Sequence, residues 1–500
     1  MIAWRRWLPH LPAALAILFV LTVYVFFASE GTFEFRRVKW DYKTDKPGEG
    51  YYSSLAEGFR RGHLYMMDEP DAKLMAVHNP YEPNVREEYG AGILWDASYF
   101  ERHFYLYFSP LPVLLFYLPF RWLTQGYPLD SLAGTFFCVW AFVMSIATVW
   151  RAVGKRKLHL PMPLWILLIG LGNVIPWSLI HMRLYEVAVM AGMAMTATWA
   201  YALVRFTETG STRHAFWMGL WLALAIAART NLGALLLPTV LVLWSGARFG
   251  RRPVAEAATA PRVWRTWAAC VLPLGVVALM LAGYNYARFR KPHETGITYQ
   301  LTFVNMRHCR RCSLRTIPEG IRVINNFVHY VWWPPYIFSK FPYVDLQGSR
   351  LDPIVAFPNT VEHIAGIGPL NPVIIIACIF TLLLAARRRT LDVHARNGLR
   401  LMGGAWLVLA VLSTCWYVVA RYSLDFWMLM TVASAIVIEA AFTELETAGF
   451  GLRWLRIGTI ALACFSILFC SLLGFMGTQG AFQRANPKLF QRLSDQLSAS

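Results

Sequence analysis

Runs of fifteen to twenty-odd apolar residues recur along nearly the whole of this 500-residue chain. After AALAILFVLTVYVFFA near the N-terminus, further runs fall at about 109–125, 130–150, 161–180, 184–204, 215–229, 231–247, 267–287, 370–386, 401–420, 422–441 and 454–476. Hydrocarbon offers no partner to a backbone N–H or C=O, so only helices and closed barrels cross it, and runs of this length match helices. With 57% hydrophobic residues, a soluble fold is excluded. The predicted fold class is all-α: a polytopic membrane protein of about 11–12 transmembrane helices, with a large extracytoplasmic first loop that carries short interfacial helices.

The formal charge of +18 could suggest a nucleic-acid partner. The basic residues, however, bunch in the short connections RAVGKRK, VRFTETGSTRH, ARFGRRPVAEAATAPRVWR and RRRTLDVHARNGLR, which is the positive-inside pattern of cytoplasmic loops. The first run follows Arg5 and Arg6 and lacks a good cleavage site, so it reads as a retained signal anchor. Parity then turns on 109–125, which holds Pro110, Pro112, Pro119 and Arg121. Read as re-entrant or partly spanning, it lets all four basic loops share one side, with about eleven spans and the C-terminal tail outside. An even count with an internal tail stays open. The chain divides into an N-terminal transmembrane module (1–287, including the acidic loop 29–108), an aromatic extracytoplasmic loop (288–369, with HYVWWPPYIFSKFPYV) and C-terminal helices with a tail (370–500).

Of the 29 acidic residues, 14 lie between positions 29 and 108. Carboxylates are costly beside a bilayer, so such a cluster is a candidate site. Asp41, Asp45 and Glu49 recur every four residues, but Pro47, Gly48 and Gly50 turn the chain, so they precede a helix that runs YYSSLAEGFRRGHL and stops near Gly62. Helix capping is the rival role for these acids. Asp96, in WDASYF, is a fourth candidate base. The same parity sets Arg183 and Glu186 (HMRLYEVAV), Arg229 (AIAARTNLGALLLP) and Arg421 and Asp425 (VVARYSLDF) at outer helix ends. Arginine forks match phosphate oxygens, and a structural ion pair is the competing explanation. Cys309 and Cys312 form a lone C-x-x-C; no second pair follows at zinc-finger spacing, and a local disulfide is the simpler use in an exported loop.

The order of N-terminal anchor, acidic loop, YYSSLAEGFRRGHLY and FYLYFSPLP, with AIAARTNLGALLLP, YNYARFRKPHETGITYQL and RYSLDF later, resembles the GT-C superfamily of membrane glycosyltransferases. It is closest to bacterial members related to the protein O-mannosyltransferases and the lipid A aminoarabinose transferases. In those families an Asp-Glu pair ahead of a Tyr commonly sits at the catalytic centre. Laid on Gly48–Glu49–Gly50–Tyr51–Tyr52, the pattern matches Glu49 to the second acid, leaves Gly48 at the first, and brings Tyr52 to the substrate. Asp45 or Asp41 would supply the missing carboxylate. The resemblance implies transfer of a sugar from a polyprenyl-phosphate donor to a hydroxyl of a glycan, lipid or protein acceptor, with inversion, at the outer face of a bacterial cytoplasmic membrane. A carboxylate would take the proton, and Arg183, Arg229 and Arg421, with Glu186 and Asp425, would bind lipid phosphate and sugar. No metal is required for a monophosphate donor, and Mg²⁺ or Mn²⁺ is compatible with several carboxylates in one loop. The alternative is a lipid or lipid-linked-sugar transporter. That reading calls for ionisable groups near the bilayer midplane and for internal repeats, and no repeat is found. A receptor or assembly factor is a third reading.

Overall fold

The computed structural model describes residues 10–35, 50–153, 157–180, 182–248, 260–308, 317–346, 360–386, 391–415 and 417–498. The calls on Asp41, Asp45, Glu49, Cys309 and Cys312 therefore lie outside the described residues.

The protein is a polytopic all-α membrane protein. Its main helices are α1 (Leu11–Ala28), α2 (Tyr51–Arg60), α3 (Asp130–Val153), α4 (Met162–Leu171), α5 (Ile175–Leu179), α6 (Leu184–Thr209), α7 (Thr212–Ala228), α8 (Leu236–Arg248), α9 (Ala260–Phe289), α10 (Ile317–Trp332), α11 (Pro372–Ala386), α12 (Val393–Ser413), α13 (Leu424–Thr447), α14 (Arg453–Leu473) and α15 (Pro487–Ser498). Among the described residues, six helices are long and apolar enough to cross a bilayer: α1, α3, α6, α9, α13 and α14. Helices α6 and α13 are buried along nearly their whole length and form the centre of the bundle. By contrast α9 and α14 present exposed Leu279, Met280, Leu272, Trp454 and Leu468 on their outer faces, as lipid-facing helices do.

Several boundaries differ from the sequence reading. The run at 161–180 is broken, because Asn173 caps the chain between α4 and α5 by accepting the Ile175 N–H (2.8 Å) and Pro176 cannot continue the ladder. The run at 401–420 forms a helix that starts earlier, at Val393, where the Asp392 carboxylate accepts the Ala395 N–H (2.8 Å). A 3-10 turn, Thr230–Leu235, precedes α8.

The segment after the acidic loop does not cross the bundle. Its helical part, Val113–Thr124, begins as a π-helix and rises only about 18 Å, short of a hydrocarbon core of roughly 30 Å. Residues on both sides of it meet: the Tyr127 hydroxyl donates to Glu57 Oε2 of α2 (2.6 Å), and Tyr117 donates to Asp130. The chain thus returns to the end from which it came. At the opposite end the basic connections gather, with Arg151 on Glu208 (2.7 Å), Lys157 on Glu446 (3.1 Å) and Arg456 on Glu446 (3.7 Å). Two of the arginine-rich loops and the α13–α14 turn therefore share one face, and the acidic loop lies on the other.

The two large loops form one layer. Hairpin β1 (Ser98–Phe100) and β2 (His103–Tyr105) pairs antiparallel, with Tyr99 opposite Phe104, and Ser98 bridges antiparallel to Gln300 in the second loop. Arg86 donates to the carbonyls of Pro80 and Thr302, and Arg288 donates to the Leu106 carbonyl (2.7 Å). These guanidiniums are buried and satisfy loop carbonyls that water would otherwise serve. Strands β3 (Tyr336–Ile337) and β4 (Val344–Asp345) form a second hairpin, against which α15 closes, while Asn486 Nδ2 donates to the Glu30 carbonyl (3.0 Å). The C-terminal helix therefore sits at the acidic-loop end. Strands β5 (Thr360–Val361) and β6 (Tyr417–Val418) pair in parallel.

Helices α7 and α9 touch backbone to backbone at Gly219, where a β-carbon would overlap the Cys270 carbonyl. Gly219→Ala is therefore expected to push the helices apart and destabilise by about 1–3 kcal/mol, read as a lower unfolding temperature in detergent.

Candidate functional site

Helices α6 and α13 begin at the acidic-loop end, and their first turns carry the charged residues singled out in the sequence. Arg183 precedes α6, and its backbone N–H donates to Glu186 Oε2 (3.0 Å), so Glu186 caps its own helix. The Glu186 carboxylate also faces Arg421 Nη1 at 3.6 Å, and the same nitrogen reaches Glu362 Oε2 at 3.2 Å. The Arg421 guanidinium lies 4.9 Å from the centroid of the Tyr185 ring. Tyr185 in turn donates its hydroxyl to Asp96.

Asp96 is where the two loops and the two central helices meet. Its backbone is left-handed, φ +58°, a conformation that Asp tolerates better than most residues. Its N–H donates to the Leu301 carbonyl (2.9 Å), and its Oδ1 accepts from Gln300 Nε2 (2.9 Å). Tyr51, in the first turn of α2, donates to the carbonyl of Trp95 next door. Burial pushes the Asp96 carboxyl above its ordinary value, partly offset by hydrogen bonds from Tyr185, Gln300 and Thr302 and by the Arg421 charge. A half-buried carboxylate with a raised pKa, held by fixed donors, has the character of a general base.

Arg229, at the end of α7, forms a buried pair with Asp425 in the first turn of α13: Nη2 and Nε lie 2.8 and 3.2 Å from Oδ2, and Asn231 Nδ2 donates to the same oxygen at 2.9 Å. The pair is joined to Arg421 through Tyr422, whose ring centroid is 4.6 Å from the Arg229 guanidinium and 5.5 Å from that of Arg421. Two of the three arginines thus converge on one ring. Arg183 is exposed, and its guanidinium has no ion-pair partner among the described residues. Tyr52 lies in the core, its ring stacked 5.5 Å from Tyr117, and its hydroxyl is buried without a partner among the described residues.

The sequence reading missed His363, Trp177 and Ser178 at this place. Their Nδ1, Nε1 and Oγ atoms, like Nε of the nominated Arg421, are buried and have no hydrogen-bond partner among the described residues. The His363 carbonyl accepts the Ala420 N–H (3.0 Å), and its ring lies 6.1 Å from Trp177. Burial holds the His363 imidazole below its ordinary value. No charge or motif flags Trp177, and Gln300 lies inside YNYARFRKPHETGITYQL without being singled out there. Tyr185 sits inside RLYE, between two residues that were flagged. Among the described residues, no group of three His, Cys, Asp or Glu side chains comes together as a metal site.

The helices and their charged ends define the class, a multi-pass membrane protein with a polar site at one face. No protein-family model matches the chain, and no curated protein matches it in sequence. Among solved structures, an archaeal oligosaccharyltransferase, AglB from Archaeoglobus fulgidus in complex with an inhibitory peptide and a dolichol-phosphate, aligns with a TM-score of 0.43 and 10% identity over 94% of this chain. The alignment covers 55% of that protein, so this chain spans little more than half of its length.

Proposed function

We propose that the protein is a membrane glycosyltransferase that moves a sugar from a polyprenyl-phosphate donor to an acceptor hydroxyl at the extracytoplasmic face, with inversion. The observation that carries this reading is the meeting of Asp96 with Arg421 through a single tyrosine, Tyr185, at the acidic-loop end of the bundle. Asp96 takes the acceptor proton as its oxygen attacks the anomeric carbon. The bond from that carbon to the phosphate oxygen breaks, and the departing lipid phosphate gains negative charge. Arg421 and Arg183, with the Trp177 Nε1–H that has no partner among the described residues, are suited to meet that charge. Glu186 and Glu362 hold Arg421 in place. The sequence resemblance to GT-C enzymes supports the same assignment, and the basic connections at the far end support a cytoplasmic location for that face.

Arg183 offers a test that leaves the fold alone. It is exposed and has no ion-pair partner among the described residues, so Arg183→Gln is expected to keep its unfolding temperature and to lose roughly 10-fold or more in kcat/KM for the donor. The assay is release of lipid phosphate by the purified protein in nanodiscs, supplied with polyprenyl-phosphate hexoses and pentoses and a crude glycan acceptor. Movement of the intact lipid-linked sugar between leaflets, without cleavage, would replace the enzyme with a transporter.

A further inference from the structure

Two large rings stand exposed beside Asp96. Trp95, the residue before it, is 46% exposed, and Phe303, just past the Thr302 that hydrogen-bonds the carboxylate, is 53% exposed. They come from different loops, yet their centroids lie 6.1 Å apart with planes only 23° from parallel. Continuing the Ser98–Gln300 antiparallel register outward sets the two residues opposite each other, so the backbone pairing that positions Asp96 also positions the rings. An isolated exposed aromatic needs no explanation, whereas a matched pair fixed beside a half-buried carboxylate does.

We propose that Trp95 and Phe303 form the acceptor subsite and that the acceptor is a saccharide, held by stacking of one sugar face on the rings. This deepens the glycosyltransferase reading and rests on it. A pyranose has a face of C–H groups, which carry partial positive charge, and an aromatic face carries the complementary negative quadrupole while excluding water. The ring edges keep their hydroxyls free for hydrogen bonds, and a sugar seated here presents a hydroxyl to Asp96. Arg421 reaches Asp96 through Tyr185 of α6, an element separate from the two loop segments that carry the rings, and the rings are therefore assigned to the acceptor rather than the donor. Membrane anchoring is the other common use of exposed aromatics, but carboxylates are bonded to the chain three residues before Trp95 and two residues after Phe303. Asp71 accepts the Gly92 N–H at 2.8 Å, Glu82 accepts from Asn305 at 2.8 Å, and Glu87 and Glu88 are exposed. A lipid interface disfavours such a rim.

The test uses the full chain in nanodiscs, with short gluco-, manno- and N-acetylglucosamine oligosaccharides as probes and saturation-transfer NMR as the readout. At least one series is expected to bind, Trp95→Ala and Phe303→Ala to weaken it at least 10-fold, and Trp95→Phe and Asp96→Asn to retain it. In turnover, Trp95→Ala should raise the acceptor KM at least 10-fold and leave the donor KM unchanged. Transfer that proceeds with an acceptor KM indifferent to Trp95 would overturn the subsite and spare the enzyme. A shift in the donor KM alone would assign the rings to the donor sugar and overturn the acceptor claim. Ring-dependent oligosaccharide binding with no turnover of any donor would keep the saccharide platform and remove the glycosyltransferase reading. Absence of binding by every probe, together with a Trp95-independent KM, would overturn the inference outright.

Discussion

Asp96→Asn is expected to lower sugar transfer by about 10²–10⁴-fold, the usual contribution of a positioned general base, while the protein still inserts and unfolds at an unchanged or higher temperature. The amide keeps the size of the carboxylate and can still accept from Tyr185 or Gln300, so the loop layer should hold. Stability should not fall, because burial already disfavours the charged form of this group. The pH profile adds a second reading. The carboxylate must be ionised to accept a proton, and burial raises its pKa, so activity should fall as pH drops through a value above the ordinary carboxylate range. In Asp96→Asn that acidic limb should disappear from the residual rate. Glu49→Gln and Asp45→Asn belong in the same series. Full activity in Asp96→Asn, with loss in either of those, would move the base to the segment ahead of α2.

The second large effect concerns the buried pair. Arg229→Ala is expected to destabilise the protein by roughly 3–5 kcal/mol, because it strands Asp425, whose side chain is 0% exposed, as a lone charge deep between helices. Asp425→Asn should cost less, since the amide still accepts from Arg229 and Asn231 and the cation remains stacked on Tyr422. The double change Arg229→Leu with Asp425→Leu should recover much of the loss, as apolar replacements of buried pairs commonly do. Unfolding temperatures in detergent check the ordering of the three variants. If the double variant is as unstable as Arg229→Ala, the destabilisation comes from lost packing rather than a stranded charge.

The helical scaffold was legible in the sequence because lipid leaves so few solutions: long apolar runs must be helices, and arginine-rich connections mark one face. The re-entrant reading of 109–125 was drawn from its prolines and its length; the structure has a short helix there, after which Tyr127 bonds back to Glu57. Helix ends were less legible. The start of α12 at Val393 depends on an Asp392 cap within a charged stretch, and hydropathy does not see it. For the site, Asp96, Arg183, Glu186 and Arg421 could be nominated from charge beside apolar runs, and the structure brings them to one end. Arg229 and Asp425 were nominated by the same signal, and they are found paired with each other; a sequence does not distinguish a cation awaiting a phosphate from one already matched. Tyr52 was nominated by motif and is buried in a ring stack. Gln300 reaches Asp96 from a loop some two hundred residues away, and His363 reaches the site by pairing with Ala420, contacts that no local pattern announces.

The central claim is that a lipid phosphate binds beside Asp96, against Arg421 and Arg183. The direct test is a cryo-electron microscopy structure of the full chain in nanodiscs doped with a polyprenyl phosphate. Density for the phosphate within hydrogen-bond reach of Arg421 or Arg183, with the prenyl chain leaving between helices at the acidic-loop face, is the predicted result. A phosphate bound at the basic end beside Arg151 and Lys157, or a prenyl chain threading the middle of the bundle, would contradict it.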